Sequence, residues 1–360
     1  MPKRLIDIVP PVVRAKLGSA SRVCPVSGRD VFLGLQDERT IVLGCNPRIP
    51  HVIPGIMRAA EELDAVVAFE LTRTEGGIDG GYTGQTPEMF SATLLAHAEQ
   101  SRFTKPFLIH ADHVTILNTS EEELDQARNL VSAQIAAGFT SFALDASFNP
   151  LSDNINILEQ LASPIQDQGY GLEVELGEVK SVGSESTLTE VAESRLFLES
   201  LASKGVHPQL LAIDNGSKSG NYLDGQAVSI DLERTGEIFK VAREFGLAGL
   251  VQHGITGTPL RIVGRLADFG IRKGNIGTLW QNVAHAGLPL DLMDAMRQWA
   301  RDNKRDIKYA TGAFKADIDA IPEENIRQIA EMAYREASEF LKAFHAAGSA
   351  TRLANNLMNA

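Results

Sequence analysis

The sequence predicts an α/β chain folded as a (β/α)8 (TIM) barrel, with an N-terminal extension to about residue 38 and extra C-terminal helices. Three observations predict it. Eight short runs rich in Val, Ile, Leu and Phe recur at regular spacing between residues 40 and 278. Amphipathic helical patterns lie between them. Polar residues collect at the C-terminal end of nearly every run, the face on which barrel enzymes keep their chemistry. A doubly wound open sheet is the competing architecture.

The runs, in order, are "TIVLGCN" (40–46), "AVVAFEL" (65–71), "PFLIHADH" (106–113), "SFALDAS" (141–147), "LEVELG" (172–177), "LLAIDNG" (210–216), "GLVQHG" (249–254) and "GNIGT" (274–278). Most are too continuously apolar for strands with one wet face, so they read as buried parallel strands. Residues 87–100, 120–138 and 230–246 show apolar spacings of three and four, the period of a helix with one buried face. The second of these opens on a Ser120–Glu123 capping box and ends at Gly138. The barrel is expected over about 38–285. Further helices follow over about 289–360, including 323–347, within one domain.

A net charge of −12 and a pI near 5.2 argue against nucleic acid or an anionic membrane surface as partner. A phosphorylated ligand remains compatible, because backbone amides can hold a phosphate locally. Cys24 and Cys45 are the only cysteines and form no CxxC pair, which fits a reducing compartment. Asp7 and Pro10-Pro11 interrupt any signal-peptide core, and no apolar run approaches a membrane span of roughly 18 residues. A cytoplasmic protein is expected.

The run ends carry Asn46, Glu70, Thr72, His110, Asp112, His113, Asp145, Glu173, Glu175, Asp214, Asn215, His253 and Asn275. In a closed barrel these converge on one mouth. A single strand-end histidine is ordinarily a hydrogen-bonded core residue. Histidines from two strands beside several carboxylates point instead to a divalent metal, which takes nitrogen and oxygen ligands. Glycine-rich elements at the ends of the last three runs, "DNGSKSGNY", "HGITGTP" and "GNIGT", suggest a phosphate pocket made of backbone amides.

These motifs resemble those of the class II fructose-bisphosphate aldolase family. "HADH" (110–113) is similar to the family's H-x-D-H, "ALDAS" to I-D-x-S, "LEVELG" to E-x-E-L-G, "QHGITG" to H-G-G-S-G and "GNIGT" to its K-x-N-x-x-T region. The loop "GGYTGQTP" (80–87) resembles the accessory subunit of tagatose-bisphosphate aldolase. The family resemblance implies a metal-dependent lyase that cleaves or forms a phosphorylated ketose through a metal-stabilised enediolate. Its products would be dihydroxyacetone phosphate, or a similar ketone, and an aldehyde. It implies a homo-oligomer, dimer or tetramer.

By the same resemblance Asp112 handles the hydroxyl proton, His113 and His253 are metal ligands, and Asp145 and Glu175 hold a second or alternative metal position. His110 is a supporting or packing partner. Gly220, Gly254, Thr256, Gly257 and Thr278 line the phosphate pocket, and Asn275 touches the ketose near the reacting carbon, with Asn46 at the same mouth. Zn2+ is the expected ion, with Mn2+ or Fe2+ compatible.

Three positions depart from the family. Ser219 stands where the third histidine ligand is expected. Gly277 stands where the strand-eight motif has an aspartate. The acidic loop after "ELG" is replaced by "EVKSVGSES", so its glutamate is either lost or moved to Glu185. Three outcomes follow from Ser219. Glu175 could complete a two-histidine, one-carboxylate site. The metal could be weak or absent in a non-catalytic, sugar-phosphate-binding or accessory relative. Or Lys218 could act as a Schiff-base amine.

Overall fold

The computed structural model describes residues 4–177, 188–218, 220 and 229–359. Eight parallel strands form the barrel: β2 (Val42–Cys45), β3 (Val67–Thr72), β4 (Pro106–Thr115), β5 (Ser141–Asp145), β6 (Gly171–Leu176), β7 (Leu210–Ile213), β8 (Gly249–Gln252) and β9 (Ile271–Ile276). They hydrogen-bond in the order β4-β3-β2-β9-β8-β7-β6-β5, and pairing of β4 with β5 closes the ring. That closure excludes the open sheet. A two-residue strand, β1 (Cys24–Pro25), adds to the outside of this count by pairing with the start of β4, so the N-terminal extension is part of the sheet.

The expected run 274–278 is misplaced. The last strand begins at Ile271, and Gly274, Asn275 and Ile276 lie on it in register with β2. Thr278 already starts a helix, Thr278–Gly287. The charged Arg272 and Lys273 hid the start of the strand, which β2 and β8 flank on its two edges.

Helices cover the barrel as expected. Ser120 caps the helix Glu121–Ala137 by accepting from the Glu123 backbone N–H at 3.3 Å, and Gly138 ends it at φ +101°. The Glu123 carboxylate does not complete a capping box. It turns instead to the Leu117 N–H (3.1 Å) and to Arg73 (2.6 Å). At the N-terminal end of the strands, the helix Gly28–Gly34 sits so close that a Cβ on Gly28 would lie 2.6 Å from the Ser141 Cβ. That end is therefore sealed. The C-terminal helix Glu323–Ala343 packs on the helix Ile53–Glu62, where Gly55 leaves no room for a side chain against the Ala330 carbonyl. Among the described residues no helix is long and apolar enough to cross a membrane.

The barrel interior is not uniformly apolar. Glu70, His110, Glu173 and Lys273 point inward from β3, β4, β6 and β9 and are buried. Charged groups there need partners, and these four supply them to one another.

Candidate active site

The mouth is organised by a bulge in β4. Its register against β5 shifts between Ala111 and Val114, and His113 within it has φ +40°. In a regular strand Asp112 and His113 would face opposite sides. The bulge turns the chain so that both reach the same space, with His113 Nε2 3.8 Å from Asp112 Oδ1. A non-glycine residue at positive φ costs on the order of 1 kcal/mol, a strain that recurs at functional sites.

Asp112 is 3 % exposed. Its Oδ1 accepts from Asn275 Nδ2 at 2.8 Å and its Oδ2 from Asn46 Nδ2 at 3.2 Å. Both amides donate, so the carboxylate is fixed as an acceptor. His113 Nδ1 lies 3.2 Å from Asp145 Oδ2 and 2.6 Å from Glu175 Oε1, and its Nε2 lies 3.2 Å from His253 Nδ1. Burial would lower the His113 pKa, but Glu175, Asp112 and Asp145 together outweigh it and hold the ring well above its usual value. His253 goes the other way, lowered by burial and then by the positive His113 and Lys273. Burial pushes Glu175 up to about 8, and Asp145 adds to this. Asp145 is buried too, yet its pKa falls, because His113 and two hydrogen bonds from Ser147 (2.6 and 3.1 Å) favour its charged form over the burial penalty.

These residues fit a divalent metal. Ligand-capable atoms of Asp112, His113 and His253 lie within 4.8 Å of one another, as do those of His113, Asp145 and Glu175, and of Glu173, Glu175 and His253. Among the described residues His253 Nε2 and Glu173 Oε1 are buried without hydrogen-bond partners and face each other at 3.8 Å, too far for a hydrogen bond. An orphaned buried polar atom costs about 1–3 kcal/mol. A cation among these nitrogens and oxygens relieves that cost, and the mixed donor set suits Zn2+, Mn2+ or Fe2+.

Beneath the mouth lies an ion cluster. Lys273 is fully buried, with Nζ 2.9 Å from Glu173 Oε2, 3.2 Å from Glu70 Oε2 and 2.9 Å from His110 Nε2. His110 Nδ1 also contacts Ser141 Oγ at 2.9 Å, so it supports the site from below. Burial opposes the charge on Lys273, but the carboxylates of Glu173 and Glu70 prevail and its pKa is raised. Sequence reasoning passed over Lys273. The available signal was parity: it stands two residues before Asn275 on one buried strand, so it faces the same interior.

A pocket of about 150 Å3 opens at the mouth. Asn46, Asp112, His113, His253, Asn275 and the candidate phosphate residues Gly220, Gly254, Thr256 and Thr278 line it, whereas Gly257 does not. The Leu279 N–H donates to Thr256 Oγ1 at 3.2 Å, which ties the β8 loop to the start of the Thr278–Gly287 helix. The Lys218 backbone packs against Gly254, where a Cβ would stand 2.4 Å from the Lys218 carbonyl oxygen. Ser219 and Glu185 lie outside the described residues. Arg48 and Glu75 also line the pocket, and neither was anticipated, since nothing at residues 48 or 75 marks them in the strand pattern. A larger hollow, about 710 Å3, lies among residues 4–24 and Thr104 near the start of β4. It contains none of the metal-ligating clusters.

The model of fructose-bisphosphate aldolase class II matches residues 26–347. The chain belongs to this family. A fructose-bisphosphate aldolase of Staphylococcus epidermidis is 28 % identical over 257 residues, covering 70 % of this chain and 81 % of that protein. A probable fructose-bisphosphate aldolase of Bacillus subtilis is 28 % identical over 226 residues, 62 % and 71 % of the two chains. Among solved structures, the YdjI aldolase of Escherichia coli K12 superposes with TM-score 0.63 at 19 % identity, covering 89 % of this chain and 98 % of that one. A putative fructose-1,6-biphosphate aldolase of Coccidioides immitis gives 0.66 at 18 %, covering 90 % and 98 %. The structural likenesses carry the barrel fold. The family match makes this chain a class II aldolase-type carbon–carbon lyase.

Proposed function

We propose that the protein is a metal-dependent aldolase that cleaves or forms a phosphorylated ketose, with dihydroxyacetone phosphate as the ketone half. The observation that carries this reading is the carboxylate of Asp112, clamped between two amide donors and 3.8 Å from a histidine nitrogen in a converging histidine–carboxylate cluster. His113 and His253, with Glu175 or Asp145, would hold the metal, and Zn2+ is the proposed ion. When bound, the metal supplies Lewis-acid stabilisation of negative charge on the substrate oxygens.

Asp112 takes the proton from the substrate hydroxyl in cleavage and returns it in condensation, at a carboxylate oxygen held by Asn275 or Asn46. The two amides fix the rotamer of Asp112, which keeps the receiving oxygen aimed into the pocket. Backbone amides around Gly220, Gly254 and Thr256 and the first turn at Thr278 bind the phosphate. The sealed N-terminal end and the buried cluster under the mouth leave the C-terminal face as the entry.

The test is metal analysis of purified protein with cleavage assays on a panel of ketose phosphates before and after chelation. Activity that depends on bound metal supports the reading. Chelation-resistant activity trapped by borohydride and abolished by Lys218→Ala would replace it with Schiff-base chemistry. Lys273 is no candidate for that amine, because Glu173 and Glu70 keep it an ammonium without a free lone pair. Ser219 at the third histidine position favours a second reading, a non-catalytic subunit, for which no member of the panel would turn over.

A further inference from the structure

Arg48 is a cation in the pocket wall that the proton-transfer chemistry leaves unused. Its side chain is 12 % exposed. Nε donates to Glu75 Oε1 at 2.6 Å. Glu75 is itself held by the Tyr82 hydroxyl (3.1 Å), the Thr72 backbone N–H (3.0 Å) and the Asn46 amide (3.0 Å). One edge of the guanidinium is thereby fixed. Nη1 and Nη2 make no hydrogen bond among the described residues.

The free edge faces Gly277. A Cβ built there would stand 2.9 Å from Arg48 Nη2 and 3.4 Å from Asn46 Oδ1. Gly277 is the position at which the family pattern leads one to expect an aspartate. A carboxylate at that point can only accept hydrogen bonds, from a substrate hydroxyl or a cation. Here the carboxylate is gone and a guanidinium that can only donate occupies its surroundings. Because Arg48 and Glu75 cancel, the exchange of Asp for Gly leaves this wall one unit more positive than the family pattern. Gly277 is also the N-cap of the Thr278–Gly287 helix, with no side chain capping it, so the helix dipole adds to the same field.

We propose that Arg48 is a specificity-determining residue whose Nη edge binds an oxyanion of the substrate, a phosphate or a carboxylate, beside Thr278. Identification of that oxyanion as part of a ketose or its halves rests on the aldolase reading. The anion site itself does not.

The experiment uses the full-length protein as purified. Calorimetric titration with inorganic phosphate is compared in wild type, Arg48→Met and Gly277→Asp, with circular dichroism and melting to check folding. Charge-assisted hydrogen bonds contribute about 1.5–3 kcal/mol, so Arg48→Met should weaken phosphate binding roughly 10- to 100-fold. Gly277→Asp keeps Arg48 but displaces its tip slightly, since the new Cβ would stand 2.9 Å from Nη2, and hands its free edge a carboxylate; it should weaken binding comparably. This second variant keeps the proposal testable if loss of the Arg48–Glu75 pair disturbs folding.

Kinetics separate recognition from structure. Loosening Glu75, Asn46 and hence Asp112 lowers kcat for every substrate alike. Oxyanion recognition raises KM only for substrates that carry the anion. Titrations with dihydroxyacetone phosphate and with glyceraldehyde 3-phosphate show which half supplies it, and an Arg48-dependent loss in either supports the proposal. Folded variants that bind phosphate as wild type does overturn it, as does a wild type that binds none. If no ketose phosphate turns over but phosphate affinity still depends on Arg48, the aldolase reading fails and the Arg48 assignment stands.

Discussion

Replacing Lys273 by methionine removes a buried cation from among the carboxylates under the mouth while keeping much of its volume. Nζ is 2.9 Å from Glu173 Oε2 and 3.2 Å from Glu70 Oε2, and all three side chains are essentially inaccessible. At an effective dielectric of about 20, each contact supplies roughly 5–6 kcal/mol of attraction. Burial offsets much of this, since it opposes the charged forms of all three groups and raises the pKa of both Glu70 and Glu173. The loss on breaking a buried pair is therefore about 3–5 kcal/mol, because the remaining carboxylates stay buried without their counter-ion. Unfolding entropy of about 2.1 cal/mol/K per residue gives roughly 0.75 kcal/mol/K for a chain of this length, so Tm should fall by about 4–7 °C. The assay is chemical denaturation with calorimetry in the same buffer. A control replaces the carboxylates as well: Glu70→Gln and Glu173→Gln added to Lys273→Met should recover at least half the loss, since neutral amides need no counter-ion. A single variant that loses under about 1 kcal/mol, or a triple variant no better than the single, refutes the ion-cluster argument.

Asp112→Ala should keep fold and metal content but lower turnover by about two orders of magnitude, the usual contribution of a general base. Near-normal turnover would count against the assigned role. Ser219→His restores the family residue and should tighten metal binding, measured by competition with a chromogenic chelator; unchanged affinity would mean that position 219 does not reach the metal. His285 gives a pH test. Burial, then the nearby Arg297 and Arg48 cations, lowers its pKa to about 4 against the pull of Asp306, and Gln281 Nε2 contacts its ring at 2.6 Å. Its folded pKa lies below its unfolded value near 6.5, so its stabilising contribution is present above pH 6.5 and is lost as pH falls towards 4. His285→Gln should flatten the stability profile over that window, and a profile as steep as wild type would refute the assignment.

The sequence by itself determined the parallel strands and their order, because a strand buried on both faces needs a continuous run of Val, Ile, Leu and Phe. It also determined which residues stand at the strand ends, and so brought Asn46, Asp112, His113, Asp145, Glu175, His253 and Asn275 forward as candidates. Ring closure, the last strand's true start at Ile271 and the β1 pairing came from the tertiary structure, since Arg272 and Lys273 interrupt the apolar pattern of that strand and only the neighbouring strands show that they belong to it. The bulge at His113 is likewise invisible in the alternation of residues, because it depends on how β4 registers against β5. The partners of Lys273 and Arg48 are also not written in the sequence around them. Only folding brings Glu173 and Glu70 to one and Glu75 and Gly277 to the other, and a charge inside a protein takes its meaning from partners that lie far away along the chain.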